Sequence, residues 1–287
     1  MILLIDASFK QKAPINKIIP FSNVDGPGNR LAVFFQSCPF KCYYCHNPET
    51  INMCNHCGVC VGTCPTKSLT IVNGKVVWNE STCINCDTCI KVCPNLSSPK
   101  INYMKVADVM KHIHKARPFI QGITASGGEC TNHAAFLAEL FKEVKKLGLT
   151  TFMDTNGHHD LALYPDLIQY TDKVMLDIKA FDSDYHQYMT GKDNKMVLKN
   201  LDYLLNIDKL YEVRTVLLHD QKRNLNTVEN IAKLIQDRCF YKLIKYRPFG
   251  VRNEGLDICG KTIVNDTELA LMAQIAQENG ANRIITI

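Results

Sequence analysis

Cys38, Cys42 and Cys45 stand at a Cys-x3-Cys-x2-Cys spacing in one short loop. The loop directly follows the strand-like run Leu31-Ala32-Val33-Phe34-Phe35-Gln36. Three thiols this close can cap three irons of a four-iron cubane cluster, leaving one iron without a protein ligand and able to take a substrate. A zinc knuckle is the alternative, and zinc would need a fourth ligand. Eight further cysteines form two groups. Cys54, Cys57, Cys60 and Cys64 are followed by Pro65, and Cys83, Cys86, Cys89 and Cys93 by Pro94. Each member of the second group lies 29 residues after its counterpart in the first, so the segment is an internal repeat. A pair of zinc ribbons is the competing reading there.

The rest of the chain must position these thiols. Its 287 residues, 46% of them hydrophobic, are enough for a sizeable core in one large domain or two smaller ones. The net charge of +5 comes from 33 basic and 28 acidic residues without any block of one sign, which speaks against a nucleic-acid tail. The five apolar residues that precede Asp6 are too few for a signal sequence or a membrane span. Cysteines grouped in short motifs without a secretion signal read as metal ligands in a reducing cytosol. Eleven of the fourteen belong to the three groups; Cys130, Cys239 and Cys259 read as ordinary small apolar residues.

Residues 17–35 read as two strands joined by the turn Asn23-Val24-Asp25-Gly26-Pro27-Gly28. In the cysteine repeat, strand-like residues 69–72 and 75–78 flank Asn73-Gly74, a strong hairpin signal. Beyond residue 100, helical spacing over 106–117 precedes a strand over 119–124 and a helix over 132–147, with Asn132 as its N-cap and Gly148 as its stop. Strands follow at 150–154, 173–178, 212–218, 243–247 and 283–287. Helices between them run to about 170, over 195–205, 225–236 and 266–279. Repeated strand-then-helix order predicts a parallel sheet with right-handed crossovers. Function in such folds gathers at the carboxyl ends of the strands.

The cysteine repeat resembles the bacterial ferredoxin run Cys-x2-Cys-x2-Cys-x3-Cys-Pro, in which the fourth cysteine of each run ligates the other cluster. The resemblance implies one cluster on Cys54, Cys57, Cys60 and Cys93, and a second on Cys83, Cys86, Cys89 and Cys64. The three-cysteine loop resembles that of the radical S-adenosylmethionine (SAM) enzymes. With the Val24-Asp25-Gly26-Pro27-Gly28 turn before it and Cys45-His46-Asn47-Pro48 at its end, it resembles the glycyl-radical-enzyme activases of the pyruvate formate-lyase activase type. The Ile18-Ile19-Pro20-Phe21-Ser22 opening, the insert and Val76-Val77-Trp78 bring it near their YjjW-like subgroup.

That resemblance implies an α/β fold, an incomplete (β/α)6 barrel over residues 17–51 and 101–287. A two-cluster ferredoxin-like domain would be inserted at 52–100, behind an N-terminal extension of residues 1–16. It implies a catalytic cluster on Cys38, Cys42 and Cys45, with SAM held by Tyr44, Cys45, His46, Ser126, Gly127, Gly128, Glu129, Asp177, Ile178 and Lys179. Asp154, Thr155, Met175 through its carbonyl, and Asp177 match positions that hold a monovalent cation, and Arg214 matches an arginine that touches the substrate loop. One departure stands out: where many activases carry a SAM-contacting histidine this chain has Tyr246-Arg247-Pro248-Phe249-Gly250, so that role is either missing or taken by Arg247 or a neighbour; His219 is a poor substitute. The implied activity is reductive cleavage of SAM at a 4Fe-4S cluster, with hydrogen abstraction from a glycine of a partner enzyme. The implied setting is a cytoplasmic monomer, served by a flavodoxin or ferredoxin-type donor, with no nucleic acid or membrane partner. A radical SAM enzyme for a small molecule and an iron–sulfur electron-transfer protein are the competing functions.

Overall fold

The computed structural model describes residues 11–287. The reading of residues 1–6 as too short for a leader lies outside them, as do residues 1–10 of the expected extension. In chain order the elements are β1 (Lys12–Ser22), β2 (Arg30–Phe35), β3 (Leu69–Val72), β4 (Lys75–Trp78), α1 (Thr88–Lys91) and β5 (Asn102–Lys105). Next come α2 (Val106–Ala116), β6 (Gly122–Gly127), α3 (Ala134–Lys145), β7 (Thr150–Thr155), α4 (Pro165–Tyr170), β8 (Lys173–Asp177) and α5 (Ser183–Thr190). The chain finishes with α6 (Lys195–Asn206), β9 (Leu210–Leu217), α7 (Gln221–Ile235), β10 (Phe240–Lys245), α8 (Asn253–Cys259), α9 (Asp266–Glu278) and β11 (Ile284–Thr286).

Nine of the strands form one sheet in the order β11-β10-β9-β8-β7-β6-β2-β1-β5. From β2 to β11 all neighbours are parallel, as strand–helix alternation requires; β1 is antiparallel to both β2 and β5. β2 and β6 are almost continuously buried, as strands covered on both faces are, whereas burial alternates along β9 and β10. Helix α3 shows how the cover works. Phe136, Leu137, Leu140, Phe141 and Val144 recur along one face and are essentially inaccessible. Each such side chain contributes about 1.5–3 kcal/mol when fully buried.

Several boundaries differ from the sequence reading. β1 begins at Lys12 and pairs Lys12 with Lys105, so residues 12–16 belong to the sheet and not to an extension. The strand expected at 119–124 is shifted to Gly122–Gly127, because Arg117, Pro118 and Phe119 form a short 3-10 turn. Asn132 does not cap α3. Residues Cys130–His133 form a 3-10 turn capped by Glu129, whose side chain accepts from the Thr131 amide, and the α-helix starts at Ala134. Elements β5, α5 and α8 have no counterpart in the sequence reading.

Residues 52–97 leave and rejoin the sheet domain through a narrow neck. The Asn52 amide donates to the Leu96 carbonyl at 3.1 Å, Asn52 Nδ2 to the Asn95 carbonyl at 2.9 Å, and Asn95 Nδ2 to the Met53 carbonyl at 3.0 Å. Inside, β3 and β4 pair around Asn73 and Gly74, as expected. The buried cluster of this segment is Leu69 and Val76 with Cys60 and Cys89. Two buried aliphatic side chains alone cannot offset an ordering cost of about 1–2 kcal/mol per residue.

Candidate active site

The cysteine loop is fixed from three directions. Ser37, at φ 82°, turns the chain out of β2. Its amide donates to the Thr50 carbonyl at 2.8 Å, and the Cys38 amide to the Ile51 carbonyl at 2.9 Å. From α5, the carbonyls of Thr190 and Met189 accept from the Lys41 and Tyr43 amides at 2.8 and 3.0 Å. From β6 come Gly127 and Gly128. A Cβ on Gly127 would lie 2.2 Å from the Phe35 nitrogen, and one on Gly128 would lie 2.3 Å from the Ser37 carbonyl oxygen. The sequence reading expects these glycines to admit a ligand; in the structure Gly127 admits the backbone at the end of β2, and Gly128 that of Ser37, where the cysteine loop begins.

Glu129 is 1% exposed and acts as a strut. Its Oε1 accepts from the Thr131 amide and hydroxyl and from the Thr155 hydroxyl, and its Oε2 from the Asn156 amide, at 2.6–3.0 Å. Asn156 reaches back to the loop, its Nδ2 lying 3.4 Å from Cys38 Sγ. Burial raises all three thiols above their ordinary range, Cys42 to about 12 although Lys179 opposes the shift. Thiols so buried remain protonated unless a cation draws off the proton, which is what a bound metal does.

Sheet register builds a charged row beside the loop. Asp154 on β7 is opposite Met175 on β8, and Met175 is opposite Glu212 on β9. Two residues on, Asp177 is opposite Arg214. The Asp177 carboxylate lies 2.7 Å from Lys179 Nζ, with Ile178 fully buried between them. Lys179 Nζ is 5.9 Å from the centre of the Tyr44 ring. Burial works against the Lys179 charge, but Asp177, Tyr44 and Cys42 outweigh it and hold the pKa well above the ordinary lysine value.

Arg214 is not free to meet a partner: its Nη1 lies 3.0 Å from Asp154 and its Nε 2.6 Å from Glu212. Burial would lower this guanidinium, but Asp154, Asp177 and Glu212 together raise it. Asp154 is pushed up to about 6, because burial outweighs the attraction of Arg214, and it also accepts from the Ser126 hydroxyl at 2.9 Å. Of the four expected cation ligands, Asp154 is therefore engaged with Arg214, Asp177 with Lys179 and the Thr155 hydroxyl with Glu129. Among the described residues, no three His, Cys, Asp or Glu side chains already converge on one point as a metal site.

The region around Gly250 closes the far side. His46 Nε2 meets the Arg247 carbonyl at 2.8 Å, and a Cβ on Gly255 would lie 1.9 Å from the Tyr43 carbonyl oxygen. The guanidinium offered to the loop is that of Arg252, 5.5 Å from the Tyr43 ring centre and donating to the Lys41 carbonyl at 3.1 Å. The sequence reading leaves the histidine's role missing or given to Arg247 or a neighbour; Arg247 meets His46 through its carbonyl, while Arg252 brings a guanidinium to the loop. It misses Glu212, although Glu212 and Arg214 share the period of two that puts them on one strand face, and it misses Asn156.

In the insert the 29-residue repeat is written into the backbone. Positive φ recurs at His56 and Asn85, at Gly58 and Asp87, and at Lys67 and Leu96. The first pair turns amides toward sulfur: His56 N lies 3.4 Å from Cys54 Sγ, and Asn85 N 3.4 Å from Cys83 Sγ. Such turned-in amides suit an anionic thiolate cluster. Burial and the charges of Cys89, Cys54 and Cys93 push Cys60 up to about 11. Cys64, Cys83, Cys86 and Cys89 line one hollow. Cys130 and Cys239 are buried as expected, and Cys259 is half-buried.

A cluster with an additional ligand fits the three-cysteine loop on two counts. Three thiols, Cys42 buried and Cys38 and Cys45 half-buried, share one rigid turn, and the Tyr44 hydroxyl near Lys179 is buried without a hydrogen-bond partner. Residues 32–235 match the radical SAM superfamily, and the chain belongs to it. It is 32% identical to the choline trimethylamine-lyase activating enzyme of Oleidesulfovibrio alaskensis, over 84% of this chain and 86% of that one. It is 33% identical to the trans-4-hydroxy-L-proline dehydratase activating enzyme of Clostridioides difficile, over 68% and 70%. Streptococcus suis SuiB bound to S-adenosylmethionine shares the fold at TM-score 0.57 and 12% identity, over 88% of this chain and 48% of that one. Within the superfamily, then, the chain is one of the glycyl-radical-enzyme activating enzymes, an oxidoreductase of the 1.97.1 type. Among the described residues no helix is long and apolar enough to cross a membrane.

Proposed function

We propose that the chain binds SAM beside a 4Fe-4S cluster on Cys38, Cys42 and Cys45 and installs a radical on one glycine of a partner glycyl radical enzyme. When bound, the cluster supplies the electron that cleaves the SAM sulfonium, and the fragment released removes a hydrogen atom from the glycine. The observation that carries the reading is the rigid cradle of the loop by Gly127, Gly128 and α5, with Lys179 and Asp177 at its side.

The chain's own residues divide the work. Tyr44, Cys45, His46, the 126–129 stretch and the 177–179 stretch surround the SAM position, with Lys179 as the counter-charge for its carboxylate. Arg252 supplies the contact that the missing histidine would make. A monovalent cation at Asp154, Thr155, the Met175 carbonyl and Asp177 competes there with the guanidinium of Arg214. When the cation takes Asp154, Arg214 is released toward the partner's glycine loop, which must leave its own core for a time. The sheet is read as an incomplete barrel with its mouth at this edge.

The insert is read as a two-cluster ferredoxin-like module, YjjW-like, with Cys54, Cys57, Cys60 and Cys93 on one cluster and Cys83, Cys86, Cys89 and Cys64 on the other. With four thiolates each, neither has an iron free for SAM, so the insert relays electrons from a flavodoxin or ferredoxin-type donor. The chain is read as a cytoplasmic monomer. Anaerobic incubation of the reconstituted protein with SAM, a strong reductant and candidate glycyl radical enzymes tests the reading. The expected result is a glycyl radical doublet by EPR together with 5'-deoxyadenosine; 5'-deoxyadenosine without a protein radical across the glycyl radical enzymes would favour a small-molecule substrate.

A further inference from the structure

The two insert clusters do not face equivalent surroundings. The hollow lined by Cys64, Cys83, Cys86 and Cys89 is also lined by Trp78, Lys100 and Asp87. Lys100 Nζ lies 2.5 Å from Asp87, so that pair presents a dipole and little net charge. Trp78 differs. Its Nε1 is buried and has no hydrogen-bond partner, and among the described residues it is the one buried side-chain N–H of the insert in that state. An indole nitrogen only donates, and a buried donor is costly unless it finds an acceptor. The acceptors that a loaded hollow would offer are cluster sulfurs. No counterpart arises from the 29-residue repeat, because position 49 is Glu49 and position 107 is Ala107, both outside the cysteine runs.

We propose that the Trp78 indole N–H donates a hydrogen bond to a sulfur of the cluster held by Cys64, Cys83, Cys86 and Cys89, and makes it the higher-potential cluster of the insert's two. This rests on the two-cluster reading of the insert. A four-thiolate cluster is an anion, and one-electron reduction makes it more so. A donor aimed at its sulfur stabilises the reduced form more than the oxidised one, and hydrogen bonds to the sulfurs are among the features that set such potentials. An electron delivered by a low-potential donor of the flavodoxin or ferredoxin class then rests on this cluster. The asymmetry makes this cluster the electron reservoir of the insert and distinguishes two clusters that the cysteine spacing leaves equivalent.

The test uses the full-length, anaerobically reconstituted protein. Iron content comes first: about twelve irons per chain, three clusters of four, supports the reading beneath the inference, whereas about four overturns that reading and the inference with it. Trp78 is the single tryptophan, so labelling with 15N-indole tryptophan marks one site without any substitution. In protein with all three clusters, pulsed EPR of the partly reduced sample should show a 15N coupling on the insert signal that appears at the higher potential. A coupling confined to the lower-potential signal, or none on either, overturns the proposal. Trp78→Phe removes the donor and keeps the ring. Its expected effect is about a tenfold fall in the reduction equilibrium of that cluster, about 59 mV for one electron, with the other insert couple unmoved. Two unmoved couples in a variant that keeps its iron would overturn it as well. If Trp78→Phe sheds the cluster, the labelled wild-type protein still decides.

Discussion

Three glycines separate the two ways in which a methyl group can damage this fold. Gly148, at φ 73° after α3, has nothing within 4 Å of where a methyl would stand, so Gly148→Ala meets only backbone strain. Gly128 has an ordinary φ, but its methyl would stand 2.3 Å from the Ser37 oxygen and 2.8 Å from the Thr50 oxygen, so Gly128→Ala meets only a clash with backbone. Gly127 has both: φ is 113°, and the methyl would stand 2.2 and 2.4 Å from the Phe35 nitrogen and oxygen. Left-handed strain costs about 1–3 kcal/mol, and forcing a methylene into a packed core costs about 1–3 kcal/mol. Gly127→Ala should therefore lose about 2–6 kcal/mol, close to the sum of the other two. Urea unfolding of the metal-free chains measures this. Because the Gly128 methyl falls on Ser37, where the cysteine loop begins, and the Gly127 methyl on Phe35 at the end of the strand that leads into it, reconstituted Gly127→Ala and Gly128→Ala should also lose about four irons, one cluster's worth, while Gly148→Ala loses none. The reasoning is refuted if Gly127→Ala is no less stable than Gly148→Ala and keeps all its iron.

Cys42→Ala should abolish 5'-deoxyadenosine formation with dithionite while the two insert clusters remain visible by EPR; undiminished product would remove Cys42 from the site. Changing Cys57 and Cys86 to Ala together should lower turnover with a protein donor far more than turnover with a small strong reductant, and equal losses with both would make the insert a support or docking module. Asp154 is raised to about 6 from an ordinary value near 3.8. Its stabilising contribution is therefore complete below about pH 4 and is lost as the pH rises through about 6. Asp154→Asn in the metal-free chain should flatten the stability profile in that window, and an unchanged profile would show that Asp154 is not the group responsible.

The sequence carries the parts whose signal is local. Cysteine spacing marks the loop and the 29-residue repeat, and strand–helix alternation gives the parallel sheet. What escapes it depends on contacts between distant segments. α5 is short and largely polar, with no strong apolar face to announce it, yet its Met189 and Thr190 carbonyls hold the cysteine loop. β5 is four residues long and becomes a strand because β1 offers it an edge. Asn132 looks like a cap; Glu129 caps the preceding turn instead, and Asn132 Nδ2 donates to the Ser37 carbonyl at 3.1 Å. Glu129 itself reads as a ligand contact because its motif resembles one, whereas its four donors come from β7, the residue after it and the turn that leads into α3.

The same local geometry bears on whether the insert could influence chemistry at the three-cysteine loop. The Ser37 and Cys38 amides are held by Thr50 and Ile51, and the next residue, Asn52, opens the neck of the insert. Gln36 is fully buried beneath them, its Nε2 donating to the carbonyls of Glu49 and Asn52 at 2.7 and 2.6 Å. The start of the loop and the base of the insert are thus one hydrogen-bonded unit, and Cys54 is three residues beyond the carbonyl that fixes Cys38. A domain present only to dock a partner would need no such junction; a hinge of small residues would leave it freer to move. A rigid junction holds the distance between two redox centres constant, which is what electron transfer between them demands. This favours the relay reading of the insert over a docking module.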